Sequence, residues 1–131
     1  MQHFLPGKSC KMEKQFMKSS NYLLECCVDS AYSARMAKKG GADRLELCSN
    51  LVIGGTTPTL ALYEQIRNQT DIRIHVLIRP RFGDFLYSED ETALICKEID
   101  AFRAAGADGV VIGSLSPNGS LCTEQMKRFR E

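Results

Sequence analysis

Short apolar stretches with strand character alternate with longer stretches of helical spacing along most of this chain. Residues 23–27 (Leu-Leu-Glu-Cys-Cys) read as a strand, with Asp29 or Ser30 capping a helix whose apolar face is Ala31, Ala34, Met36 and Ala37. The Gly40-Gly41 pair ends that helix. Residues 44–48 (Arg-Leu-Glu-Leu-Cys) form a second strand, followed by a loop holding Gly54-Gly55. Pro58 suits the first turn of a helix capped by Thr57, running through Leu60, Leu62, Tyr63 and Ile66. Residues 73–79 are a third strand, rich in β-branched side chains. After a loop over 80–90, a helix over 91–105 carries Leu94, Ile95, Ile99 and Phe102 on its buried face. Residues 109–112 are a fourth strand, 116–119 a turn, and a last helix starts near Thr123.

The segment from Gly41 to Ser49 is echoed by that from Gly106 to Ser114. Each is a helix end, a Gly-Ala-Asp turn, a strand, a small residue and a serine. Regular strand–helix alternation with such an echo predicts parallel strands joined by right-handed crossovers. The fold class is therefore α/β, and a (β/α)8 barrel of the TIM type is the first candidate, with a doubly wound sheet second. Four units are half a barrel, since a whole one needs about 200 residues or more. The chain closes on Lys127-Arg128-Phe129-Arg130-Glu131 without a glycine or cap. It is expected to be a truncated form, or to pair with a second copy that covers its free edges.

The 131 residues fit one domain over 22–131, preceded by a tail over 1–21. Lys8, Lys11, Lys14 and Lys18 punctuate that tail, which has neither an apolar signal core nor arginine. It reads as disordered, or alternatively as a short amphipathic helix through Met12, Phe16 and Met17. A net charge of +1 gives no case for nucleic acid or an anionic membrane. No apolar run reaches the roughly 20 residues that span a bilayer. Six cysteines without a secretion signal point to a reducing compartment and free thiols.

The pattern Leu-Glu-x-Cys occurs twice, as Leu24-Glu25-Cys26-Cys27 and Leu45-Glu46-Leu47-Cys48. Strand alternation puts Glu25 with Cys27 and Glu46 with Cys48 on one face, and Cys26 on the other. Two thiolates suit a soft ion of low coordination number such as Cu(I), and are too few for structural zinc. They are equally readable as buried thiols acting as small hydrophobes. Glu25, Glu46 and Asp84 are candidate acid–base groups, with Arg79 or Arg81 as the natural partner of the two glutamates. Arg79 and Arg81 are candidate ligands for a phosphate or carboxylate at the C-terminal end of a strand. The Gly54-Gly55-Thr56-Thr57 loop lacks a P-loop lysine and reads as a loop and cap. His75 reads as a core histidine, and Cys10, Cys96 and Cys122 as lone thiols.

Four segments in order, Leu24 to Ser30, Gly41 to Cys48, Gly54 to Thr59 and Ile78 to Ser88, resemble the CutC copper-homeostasis family. The resemblance runs from about Leu23 to about Ser120 and implies a TIM-type barrel, in the cytoplasm and, in animals, also the nucleus. It implies Cu(I) as the bound ion, with Cys27 and Cys48 at the positions regarded as copper ligands. It implies no established reaction, so the alternatives are an enzyme of unknown reaction on a small anionic substrate, or a non-functional fragment. Arg79 to Phe85 matches the family's Arg-Pro-Arg-x-Gly-Asp-Phe motif. Phe82 stands where glycine is common, and His75 at a strand position that is often apolar. The family's second half, with a His-Arg segment after the fifth strand, has no counterpart here.

Overall fold

The computed structural model describes residues 22–131. The expected tail over 1–21, with Cys10, lies outside the described residues. Four strands, β1 (Glu25–Val28), β2 (Arg44–Leu47), β3 (Arg73–Leu77) and β4 (Gly109–Val111), form one parallel sheet in sequence order. Four helices alternate with them: α1 (Ala31–Gly40), α2 (Leu60–Arg67), α3 (Glu89–Ala104) and α4 (Thr123–Arg130). A short 3-10 turn, Leu51–Ile53, precedes α2. Among the described residues β1 and β4 are free edges.

The sheet has two unlike faces. Val28, Leu45, Leu47, Ile74 and Val76 turn towards the helices and pack with Tyr63, Ile66, Ile95, Ile99 and Phe102 into the core. Cys26 packs against that core, as its parity requires. The opposite face carries Glu25, Cys27, Arg44, Glu46, Arg73, His75 and Leu77. The apolar face is the one the helices cover, and the charged face is the one that lines the inside of a barrel.

Each Gly-Ala-Asp turn works as a clasp. The Asp43 carboxylate accepts from Leu24 N, and the Asp108 carboxylate from Ile74 N, both at 2.8 Å. Each aspartate thus ties the start of its own strand to the strand before it. Gly41 and Gly106 take the left-handed conformation that turns the chain out of the preceding helix, at φ 98° and 87°. The sequence echo is therefore a repeated hydrogen bond.

Several boundaries differ from expectation. Ser30, not Asp29, caps α1 through a reciprocal capping box with Ser33. Thr59 caps α2 by accepting from Leu62 N at 3.2 Å, so the helix begins at Leu60 and Pro58 lies outside it. The Thr57 hydroxyl is unavailable for capping because it accepts from Arg79 N and donates to Glu98, both at 2.9 Å. Helix α3 starts two residues early because Ser88 and Glu91 form a capping box. Leu94 is 46% exposed, since the buried stripe of α3 runs through Thr92, Ile95, Ile99 and Phe102. Met36 is also exposed, leaving Ala34 as the buried contact of α1.

Candidate metal centre

Parallel register sets Cys27 opposite Glu46, and Glu25 opposite Arg44. The two thiols are therefore staggered, with the Glu46 carboxyl between them. Cys48 follows the last residue of β2 and is held by its backbone N–H to Val28 O at 2.9 Å. Its thiol lies 3.6 Å from Glu46 O and 3.9 Å from Glu46 Oε1, and Cys27 faces Glu46 across the strand pair. The two sulfurs differ in access, since Cys27 is exposed whereas Cys48 is 1% exposed.

The wall behind Cys48 is backbone. The Asn50–Thr57 loop folds back through a Ser49–Thr56 bridge and brings Gly55 over the strand ends. A Cβ on Gly55 would stand 2.8 Å from Leu77 Cδ2 and 3.7 Å from Cys48 Sγ. Gly55 also has φ +86°, so both its conformation and its surroundings require glycine.

Burial and neighbouring carboxylates hold both thiols in the protonated form. Burial pushes the Cys48 thiol up to about 12, with the Glu46 carboxylate adding to the shift. Burial and the charges of Glu46 and Glu25 raise Cys27 in the same direction. Glu46 is itself raised, by burial and then by the Glu25 charge, while the two thiols hydrogen-bonding to it oppose the shift. An ion that binds here must displace thiol protons. Among the described residues no three of His, Cys, Asp and Glu are grouped to hold a metal. The donor set fits a soft, two-coordinate ion such as Cu(I), and does not fit a four-ligand zinc site.

The other candidates are already engaged. Glu25 pairs with Arg44, its register neighbour, and not with Arg79 or Arg81. Arg81 pairs with Glu91 and with Asp84, and donates to the carbonyls of Phe82, Asp84 and Leu86. Asp84 also accepts from Leu86 N, and these contacts hold its carboxyl below the usual range. Arg79 donates to the carbonyls of Gly54, Gly55 and Gly83, and pins the two loops above the strand ends. His75 is half-buried on the Glu46 face, with its ring against Gly109, and so is not part of the helix-side core. Its parity with Arg73 and Leu77 in β3 already carried that information. Arg44 was equally legible, two positions before Glu46 on one strand face. Glu98, next to Ile99 on the buried side of α3, was a polar residue within an apolar stripe. Cys96 and Cys122 are free, half-buried thiols. A cavity of ≈470 Å³ forms an open apolar groove beside β4 lined by Ile99, Met126 and Phe129, on the helix side of the sheet and away from the thiols.

A family model described as the CutC family matches residues 22–131. A mouse protein named "Copper homeostasis protein cutC homolog" is 40% identical over 124 residues, covering 90% of this chain and 46% of the mouse protein. A Bacteroides fragilis family protein CutC is 46% identical over 112 residues, covering 85% of this chain and 45% of its own length. The chain thus spans about half the length of the curated relatives it matches. A Streptococcus agalactiae chain solved under the name CutC superposes with a TM-score of 0.75 at 28% identity, over 82% of this chain and 53% of that one. A Burkholderia cenocepacia chain solved under the name of a phosphonomutase shares the fold, with a TM-score of 0.55 at 24% identity.

Proposed function

We propose that this chain, which belongs to the CutC family, binds Cu(I) through Cys27 and Cys48 and serves copper homeostasis. The observation that carries the reading is the Glu46 carboxyl between the two cysteines, opposite Cys27 in register and 3.9 Å from the Cys48 thiol. Cu(I) is the cargo. Cys27, the exposed sulfur, meets it first, and the buried Cys48 takes the second position. Glu46 Oε1 is placed to receive the Cys48 proton as the sulfur becomes a thiolate. Leu77 and Gly55 shield that sulfur from water. Binding is coupled to proton release, because ligand thiols must deprotonate.

The acid–base alternative is the weaker reading. Glu25, the carboxylate whose charge raises Glu46, is itself held by Arg44, and Asp84 by Arg81. The reading places the protein where thiols stay reduced, in the cytoplasm and nucleus. It also has the free edges of β1 and β4 covered by further strands, as closure of a barrel requires.

The test is anaerobic competition for Cu(I) against a chromogenic chelator. One equivalent is expected to bind the chain, and Cys27→Ser and Cys48→Ser are each expected to abolish it. Stoichiometric binding retained by the double variant would overturn the reading.

A further inference from the structure

Arg79 is 8% exposed, and among the described residues no carboxylate pairs with it. Arg81, two residues on, meets Glu91 and Asp84. Arg79 directs its donors to backbone instead. Its Nη1 donates to Gly55 O at 3.0 Å and to Gly54 O at 3.2 Å, and its Nη2 donates to Gly83 O at 2.8 Å. Its main chain adds two bonds to the same loop. Arg79 N donates to the Thr57 hydroxyl and Arg79 O accepts from Thr57 N, both at 2.9 Å. One residue thus grips the loop at Gly54, Gly55 and Thr57, and the guanidinium fork reaches the 80–88 loop at the same time.

The gripped segment lies on Cys48. A Cβ on Gly54 would stand 3.2 Å from Arg79 Nη1, and a Cβ on Gly55 would stand 3.6 Å from Cys48 Cβ and 3.7 Å from Cys48 Sγ. Two residues without side chains therefore fit between the guanidinium and the thiol. Packing does not hold this loop down. Val52 is 95% exposed, and no residue of the 3-10 turn is buried. The loop's other backbone hydrogen bonds are internal to it or join Thr56 to Ser49 at its base. The guanidinium, by contrast, is backed by the Phe85 ring, 4.8 Å from its centroid. A line of contacts thus runs from the 80–88 loop through Arg79 and the Gly54-Gly55 backbone to Cys48.

We propose that Arg79 is a positioning residue of the thiol site: it holds the Gly54-Gly55 backbone down on Cys48, so that this sulfur is reached only when the clasp opens. The inference rests on the copper reading for the role of Cys48 as a ligand. Cys27 is open to an arriving ion, and opening of the loop sets when the second sulfur can take it. Arg79 acts through the loop and is not itself a ligand.

The test is mass-resolved iodoacetamide labelling of the full, metal-free chain, following Cys48 and Cys27 separately at several urea concentrations below the unfolding transition. Arg79→Lys keeps the charge and loses the fork. It is expected to speed Cys48 alkylation about tenfold or more, the effect of one lost hydrogen bond to a charged group on a local opening. Cys27 is expected to keep its parental rate. The acceleration should be nearly independent of urea, because opening a loop exposes little surface, whereas overall unfolding follows the full denaturant slope. Phe85→Leu removes the ring behind the guanidinium and is expected to act in the same direction, more weakly. It decides the matter if Arg79→Lys does not fold. A parental Cys48 rate in Arg79→Lys, or in Phe85→Leu where the lysine variant does not fold, would overturn the proposal. So would an acceleration that follows the full urea slope, the mark of a merely structural role. Because no metal is used, failure of the copper reading shows separately, as a parent chain that binds no Cu(I) in the chelator competition.

Discussion

The Cys48 thiol lies 3.9 Å from Oε1 of Glu46, two residues before it on the same face of the sheet. The contact has opposite effects on its two partners. As a carboxylate, Glu46 raises the thiol, while the thiol's hydrogen bond holds Glu46 down against burial and Glu25. The pair therefore shares a proton economy that a bound soft cation would reset, since the cation replaces the thiol proton and stabilises a charged Glu46.

Replacing Glu46 by glutamine keeps the shape and removes the charge. Burial remains the first cause of the raised Cys48 value, so part of the shift persists. The pH profile of thiol alkylation in Glu46→Gln is expected to move to lower pH for both Cys27 and Cys48, with Cys48 still above an ordinary cysteine. Mass-resolved iodoacetamide labelling separates the two sites. Unchanged profiles would show that the carboxylate does not act on the sulfurs.

Gly55→Ala is expected to destabilise the fold by about 2 kcal/mol, from overpacking together with a positive φ. The new methyl group would meet Leu77 Cδ2 at 2.8 Å, the end of a half-buried side chain on the open face of β3. Urea unfolding should show a lower midpoint with an unchanged slope. Parent stability in this variant would mean that the loop has room to withdraw from Leu77 and Cys48.

Glu98 gives a pH signature remote from the thiols. Burial raises its carboxyl, and only the Thr57 hydroxyl opposes the shift. Below the ordinary glutamate range both folded and unfolded chains keep the proton, so nothing is lost. As pH rises through that range, about 4.3, the unfolded chain ionises first. Stability then falls until the folded state's own raised value is passed. Glu98→Gln has no proton to lose, so its stability relative to the parent should rise as pH climbs above about 4.3. A difference that stays constant as pH climbs, measured by denaturant unfolding at fixed salt, would contradict the assignment.

The fold was legible because strand and helix periods are local properties. Val28, Leu45 and Leu47, and Ile74 with Val76, declare the covered face by parity alone, and the same parity sets Cys27, Glu46 and Cys48 on the other. Pairing was less legible because it depends on register, which no single segment contains. Glu25 meets Arg44 only because β1 and β2 align residue 25 with residue 44. Arg79 reads as a partner for carboxylates, yet it donates to backbone carbonyls, those of Gly54, 25 residues away, and of Gly83, four residues away. Leu94 failed for a geometric reason. It directly precedes Ile95, and one step of about 100° around the helix takes it from the buried stripe to solvent. Thr57 was assigned a cap because it precedes a proline, but tertiary demands from Arg79 and Glu98 claimed its hydroxyl and left capping to Thr59.

The central claim is that one Cu(I) sits between two particular sulfurs. Copper K-edge X-ray absorption on the chain loaded with one equivalent of Cu(I), under reducing and anaerobic conditions, tests it most directly. The account expects a first shell of two sulfur scatterers in the parent, and no protein-bound copper in Cys48→Ser or in Cys27→Ser/Cys48→Ser. A shell of nitrogen or oxygen atoms in the parent, or sulfur scattering that survives the double substitution, would contradict it.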